Sequence, residues 1–277
     1  MRHYFEYFSD GQVPNAPVTV CVPVYNGELY LQECLKSIAL QTHRDLLAII
    51  VDNCSTDGTA AICLAFDDGR FYYVRNDTNL GACGNHNRCL DLAQTKYVKL
   101  LSADDVLLPE TLELQVSALE RNPDVGLATC NCIVTNESLT PCAETLYLPG
   151  YQTGTNVVAR CASYVQNLIG GPSNTLLRRA VVGNYRFDTQ RKWLADLIFH
   201  CQILQHSNYI NIDKVGFFYR RHSATDSEVG CSLDIRLHDE IYFVQLYGSL
   251  LGYVRVFYHW FRFYFAQIKA RLSCLFS

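Results

Sequence analysis

Apolar and polar positions alternate between two rhythms in the first half of the chain. Residues 18–24, VTVCVPV, form an unbroken β-branched run, as expected of a strand buried on both faces. From 28 to 40, Leu29, Leu31, Cys34, Leu35, Ile38 and Ala39 fall on one side of a helix. The cycle repeats with a buried strand at 46–52 that ends on Asp52, a polar turn at 53–58 and a helix from near Thr59. A third strand is predicted at 71–76 and a helix from Gly81 to Ala93. A fourth strand, 96–105, closes on two adjacent carboxylates. Pro109 then opens a helix where proline is tolerated, and 126–135 reads as a fifth strand. Strand and helix alternating at this spacing predict an α/β fold with a mostly parallel sheet flanked by helices.

The rhythm loosens between 136 and 172, although 155–169 reads as a helix. Residues 170–179 join a glycine turn to a short strand, 190–205 form a helix, and 215–222 form a late extended segment. From about 234 a long helix is predicted, with polar or small residues in a narrow stripe from Gln245 to Ser273. Its longest uncharged run, 241–254, is shorter than the roughly 20 residues a spanning helix needs. The expected organisation is a leader at 1–17, one domain at 18–233 and an amphipathic helical tail at 234–277.

Charge changes this picture at one place. The 277 residues carry a net charge of −4, which gives no nucleic-acid footprint, but Arg255, Arg262, Lys269 and Arg271 follow the last acidic residue, Glu240. A basic, apolar tail on an acidic body predicts peripheral contact with an anionic membrane; burial against the body or a partner copy is the alternative. Thirteen cysteines include no Cys-x-x-Cys pair, and several sit in apolar runs as small hydrophobes. No signal-like apolar segment is visible at the N-terminus, so a cytoplasmic location is expected.

Ligands of a parallel sheet bind beyond the carboxyl ends of its strands. Asp52 and the pair Asp104–Asp105 fall at such ends and should face one crevice. A nucleotide-sugar enzyme needs an acceptor for a base N–H, a carboxylate-held divalent metal against the diphosphate, and a base for the acceptor hydroxyl. Asp52, Asp104–Asp105 and Asp196 supply carboxylates in that order. Plainer roles stand beside these: Asp52 as a turn residue, Asp105 as a helix cap, Asp196 as a surface residue. Asn79, Gly81 and Asn87 serve either a pyrophosphate or simply the helix entry.

Four segments also resemble the inverting family-2 glycosyltransferases, which have the GT-A fold: PVYNGELYLQECLKSIALQTHRDLLAIIVDNCSTDGT (23–59), NLGACGNHNRCLDLAQTKYVKLLSADDVLLPETL (79–112), WLADL (193–197) and YRRHSATDS (219–227). The resemblance implies that Pro23, Val24 and Tyr25 line the base pocket, with Glu28 near it and Asp52 reading the base. It implies Asp104 at the ribose or metal shell, Asp105 on Mn²⁺ or Mg²⁺, Asp196 as general base and His222 at the metal or phosphate. Two positions depart from the common pattern. Asn53 stands where many members have a second aspartate, and Ser102 where many have an acid.

The expectation is therefore an inverting, metal-dependent transfer of a sugar from a nucleotide-diphosphate donor, UDP-linked, to a hydroxyl of a glycan or lipid-linked glycan. A nucleotidyltransferase would need a glycine-rich basic loop after the first strand, which PVYNGE lacks. A non-catalytic nucleotide-sugar-binding module remains the other reading.

Overall fold

The computed structural model describes residues 2–3, 16–223 and 232–248. The first half is built from β1 (Arg2–His3), β2 (Val18–Val24), α1 (Leu31–Ala39), β3 (Leu46–Asp52), α2 (Thr59–Ala65), β4 (Phe71–Arg75), α3 (Gly81–Leu92) and β5 (Tyr97–Leu100). There follow β6 (Val106–Leu107), α4 (Thr111–Arg121), β7 (Val125–Thr135), β8 (Pro141–Thr145), β9 (Gly150–Gln152) and α5 (Gly154–Tyr164). The last part comprises a 3-10 turn (Pro172–Asn174), β10 (Leu176–Arg178), α6 (Arg179–Val182), α7 (Ala195–Leu204), β11 (Asn208–Arg220) and α8 (Leu233–Tyr247).

One sheet carries these strands in the order β1-β4-β3-β2-β5-β10-β7-β11-β6, with β8 beside β7 and β9 beside β11. The strands from β1 to β5 run parallel. β10 runs antiparallel to both β5 and β7, so β7 and its parallel neighbour β11 keep the direction of the first block. The chain moves outward from β2 to β3 and β4, then returns to place β5 on the other side of β2. That reversal opens a crevice at the carboxyl ends of β2 and β5.

Alternation along the strands divides the core into two layers. Cys21, Ile49 and Val51 pack with α3, α5, α7 and α8 on one face. Val20, Val22, Ala48 and Ile50 pack with α1 and α4 on the other. Both faces are covered, which is why β2 and β3 read as continuous apolar runs.

Three departures from the sequence expectation bear on the site. The fourth strand stops at Leu100, four residues short of the first carboxylate, and Asp104–Asp105 lie in the turn that follows. The late extended segment begins at Asn208 rather than 215, because its polar positions are hidden by pairing: Asn211 is buried and donates to Asn131 at 3.2 Å. Residues 233–247, expected in the tail, form α8 on the body, with Asp239, Phe243 and Tyr247 buried one turn apart. The expectations for the rest of the tail, 249–277, and for leader residues 4–15 lie outside the described residues. Among the described residues no helix is long and apolar enough to cross a membrane.

Candidate active site

The crevice wall after β2 is a knot of two loops. Asn26, in left-handed conformation at φ 50°, accepts from Thr56 N–H at 2.8 Å and donates its own N–H to Ser55 Oγ at 2.9 Å. Glu28 turns the same way: its carboxylate accepts from Gly58 N–H at 2.7 Å. Pro23 is half-buried, Val24 is buried, and Tyr25 stands 52% exposed at the lip.

Asp52 ends β3 with no solvent exposure. One oxygen accepts from Ser55 N–H at 2.9 Å; the other accepts from the Tyr73 hydroxyl and from Arg75, both at 2.7 Å. The carboxylate expected to read a base is thus enclosed by partners from three segments, and Arg75 is the partner that reaches solvent. Asn53 ties the next loop down. It donates to Asn79 at 2.8 Å and accepts from Leu80 N–H at 2.9 Å. Asn79 in turn caps Gly81 N–H at 2.8 Å, and Gly81 enters α3 at φ 72°, a conformation suited to glycine. Asn87 corrects an expectation. Its amide donates to Phe187 O at 2.9 Å and accepts from Phe187 N–H at 2.7 Å, so both ends point to the loop before α7 rather than to a pyrophosphate.

After β5 the two adjacent aspartates have opposite surroundings. Asp105 is 1% exposed, accepts from Arg220 N–H at 3.0 Å and is hydrogen-bonded by Ser173. Burial, reinforced by the charge of Asp104, pushes its carboxyl well above the usual range. Asp105 is thus the enclosed member of the pair. Asp104 is the open one. Its side chain is 25% exposed, and Oδ2 lies 3.0 Å from His222 Nε2.

Arg220 brings His222 there. It is 2% exposed, donates to the Asp104 carbonyl at 2.9 Å and the Glu137 carbonyl at 2.7 Å, and pairs with Glu33 of α1. Its guanidinium lies 4.5 Å from the Tyr30 ring centre, and Tyr30 packs on the His222 ring at 4.8 Å. Arg220 lies in the YRRH segment beside His222 but carries none of the roles expected from the sequence.

Asp196 sits half-buried in the first turn of α7. Its oxygens accept from Leu197 N–H at 2.7 Å and from Asn167 Nδ2 at 3.0 Å. Desolvation outweighs these bonds and raises its pKa to about 6. The turn 170–174 connects this carboxylate to the aspartate pair. Ser173 meets Asp105 and the Ser102 N–H, while a Cβ added to Gly171 would lie 3.8 Å from Asp196 Oδ2. Gly170 makes the turn possible at φ +100°, where a Cβ would fall 2.5 Å from Asn174. Asp188, eight residues before Asp196, pairs with Arg191 at 3.4 Å.

Among the described residues no three His, Cys, Asp or Glu side chains are grouped to hold a metal by themselves. The carboxylate oxygen of Asp104 that reaches the crevice is the donor type suited to Mg²⁺ or Mn²⁺, ions that complete their shell with substrate phosphates and water.

A mostly parallel α/β sheet flanked by helices, with carboxylates beyond the ends of its strands, is similar in fold to GT-A glycosyltransferase structures. The profile of "Glycosyl transferase family 2" matches residues 19–186, and the chain belongs to that family. It is 38% identical over 101 residues to the "Putative teichuronic acid biosynthesis glycosyltransferase TuaG" of Bacillus subtilis strain 168, covering 36% of this chain and 40% of that one. The fold is similar to S. aureus TarS residues 1–349 in complex with UDP-GlcNAc, with TM-score 0.69, 20% identity, and 84% of this chain and 66% of that one covered. It is also similar to the mannosyltransferase PcManGT of Pyrobaculum calidifontis in complex with GDP-Man and Mn²⁺, with TM-score 0.59, 20% identity, and 86% and 70% covered. The matched stretch spans well under half the length of the curated relatives, between 34% and 42% for the first of them.

Proposed function

We propose that this chain is an inverting, metal-assisted glycosyltransferase that moves a sugar from a UDP-linked donor to a hydroxyl of a glycan or lipid-linked glycan. The observation that carries the reading is the Asp104–His222 pair at the switch point, linked by the 170–174 turn to a carboxylate whose pKa lies near 6. Asp104 and His222 would hold the Mg²⁺ or Mn²⁺ ion, which supplies positive charge against the departing diphosphate. Tyr25, Pro23 and Val24 offer the lip on which a base can lie. Arg75 and Asp52 brace the loop beneath it.

Asp196 accepts the proton of the acceptor hydroxyl as that oxygen bonds to the anomeric carbon. The bond from that carbon to the diphosphate oxygen breaks in the same displacement, its electron pair leaves with the nucleoside diphosphate, and configuration inverts. A base with pKa near 6 is ionised at neutral pH yet still basic enough to help, a role that typically contributes 10²–10⁴-fold. The relatives that name a polysaccharide pathway or a UDP-sugar complex support the donor and acceptor classes.

One paired experiment tests this. UDP-sugar binding is measured by calorimetry and transfer by product detection, for the wild type and Asp196→Asn. Retained binding with most turnover lost supports the reading. Binding without any turnover in the wild type, across UDP-, dTDP- and GDP-sugars with Mn²⁺, would leave a nucleotide-sugar-binding module instead. The anomeric coupling of the product distinguishes inversion from retention.

A further inference from the structure

The carboxylate of Asp239, on α8, forms a contact that the reaction above does not use. One of its oxygens accepts from three successive backbone N–H groups: Lys192 at 3.0 Å, Trp193 at 2.8 Å and Leu194 at 3.3 Å. Successive N–H groups converging on one oxygen form an anion-binding nest, here filled by the protein's own side chain. Leu194 is the N-cap of α7 and supplies no side-chain cap; Asp196 follows two residues later. The group that fixes the entry to the Asp196 turn therefore comes from a different helix, 45 to 47 residues further along the chain.

The contact is built to hold. Asp239 is 1% exposed. Arg191, 8% exposed, approaches its second oxygen at 3.5 Å, lies 2.9 Å from His238 Nδ1 and lies over the Tyr242 ring at 4.1 Å. Arg236 of the same helix lies over the Trp193 ring at 4.2 Å. One turn and two turns later, Phe243 and Tyr247 anchor α8 in the core layer that contains Leu194, Ala195 and Leu197. A pocket of about 420 Å³ adjoins the contact, lined by Gln190, Lys192, Asp234, Ile235, His238 and Asp239.

We infer that Asp239 is a positioning residue for the reaction: from α8 it fixes the 192–194 backbone, and through it the orientation of the Asp196 carboxylate toward the acceptor. The inference rests on Asp196 being the base. A carboxylate held by a single turn loses its catalytic alignment when that turn shifts, and a shift of about 1 Å can cost on the order of a hundredfold in rate.

The test is a double-mutant cycle on the full chain with Asp239→Asn, Asp196→Asn and the double variant, and with Asp234→Asn as a control on the exposed first turn of α8. Calorimetry gives donor affinity, and saturation kinetics separate kcat from KM. Hydrogen exchange reports the amides of residues 192–197. Asp239→Asn is expected to lower kcat about ten- to a hundredfold, to leave donor affinity within about twofold, and to speed exchange at 192–194. The double variant should be no slower than Asp196→Asn alone, because the two residues act through one group. Asp234→Asn should match the wild type. Asp239→Glu keeps the charge but displaces it by one methylene, and should show the same kcat loss; it replaces Asp239→Asn in the cycle if that variant is not recovered folded. Wild-type kcat in a folded Asp239 variant, an additive loss in the double variant, or parallel losses of kcat and donor affinity would overturn the inference. If Asp196→Asn keeps its turnover, the base assignment falls, and the positioning role falls with it. A loss in Asp196→Asn but not in Asp239→Asn removes the positioning role alone.

Discussion

His222 Nε2 lies 3.0 Å from Asp104 Oδ2, across 118 residues of chain. The pairing exists because β11 runs parallel to β7 and ends at Arg220, whose backbone and guanidinium grip the Asp104–Asp105 turn. Asp105, by contrast, is enclosed and held by Ser173 and the Arg220 N–H. Mn²⁺-enhanced UDP binding should therefore be lost in Asp104→Asn and in His222→Ala, while Asp105→Asn retains most of it. Calorimetry with and without Mn²⁺ checks this. The reverse order, with Asp105→Asn the most damaging to the metal effect, would return the metal to Asp105.

Asp52 should matter to nucleotide binding through the loop it holds. Asp52→Ala leaves the Tyr73 hydroxyl and the Ser55 N–H without their acceptor, at a cost of about 1–3 kcal/mol for a buried group. Arg75 is released at the same time. Both the melting temperature and UDP affinity are expected to fall, with or without metal. A fall in affinity at unchanged melting temperature would instead mark Asp52 as a direct reader of the base.

The expected layout of strands and helices was largely visible in the chain, since β2, β3 and β4 are apolar runs that only a doubly covered sheet can bury. Asp104, His222 and Asp196 stood out as candidates, because a strand-end carboxylate and family-like segments are local signals, and their roles are what the predictions above and below test. Which of two adjacent aspartates faces solvent was not. That depends on Arg220 and Ser173, both distant in sequence and set beside Asp105 by β11 and by the 170–174 turn. The same limit explains Asn87, whose position on α3 suits a phosphate but whose amide meets Phe187, 100 residues away. Asp239 had no local signal either: it lies mid-helix, and its role exists only once α8 crosses the start of α7.

The Asp196 carboxyl should set the acid limb of the rate profile. Burial raises it to about 6, so it becomes protonated, and useless as a base, as pH falls through that value. Turnover at saturating substrates should fall about tenfold per pH unit below roughly pH 5.5 and level off above pH 7. A profile of kcat against pH measures it. A limb centred near pH 4 would mean that the base sits in a better-solvated place.

His200, one turn beyond Asp196 on α7, gives the clearest stability prediction. Its side chain is completely buried, and neither ring nitrogen has a hydrogen-bond partner. Desolvation lowers its pKa from 6.5 to about 3. Between those two values the unfolded chain takes up a proton that the folded chain refuses. Acidification through that window therefore favours unfolding, by up to about 1.4 kcal/mol per pH unit from this residue. His200→Leu replaces an unpartnered ring with an apolar side chain that suits the surrounding layer of Leu197, Phe199 and Ile203. At pH 7 the variant should be as stable as the wild type or more so, and its advantage should grow steadily as the pH is lowered towards 4. Urea unfolding of both proteins at pH 7, 6, 5 and 4 measures the difference, and other titrating groups cancel because they are common to both. Parallel stability curves would show that the imidazole reaches a proton acceptor or water in the folded chain and is not the buried neutral ring inferred here.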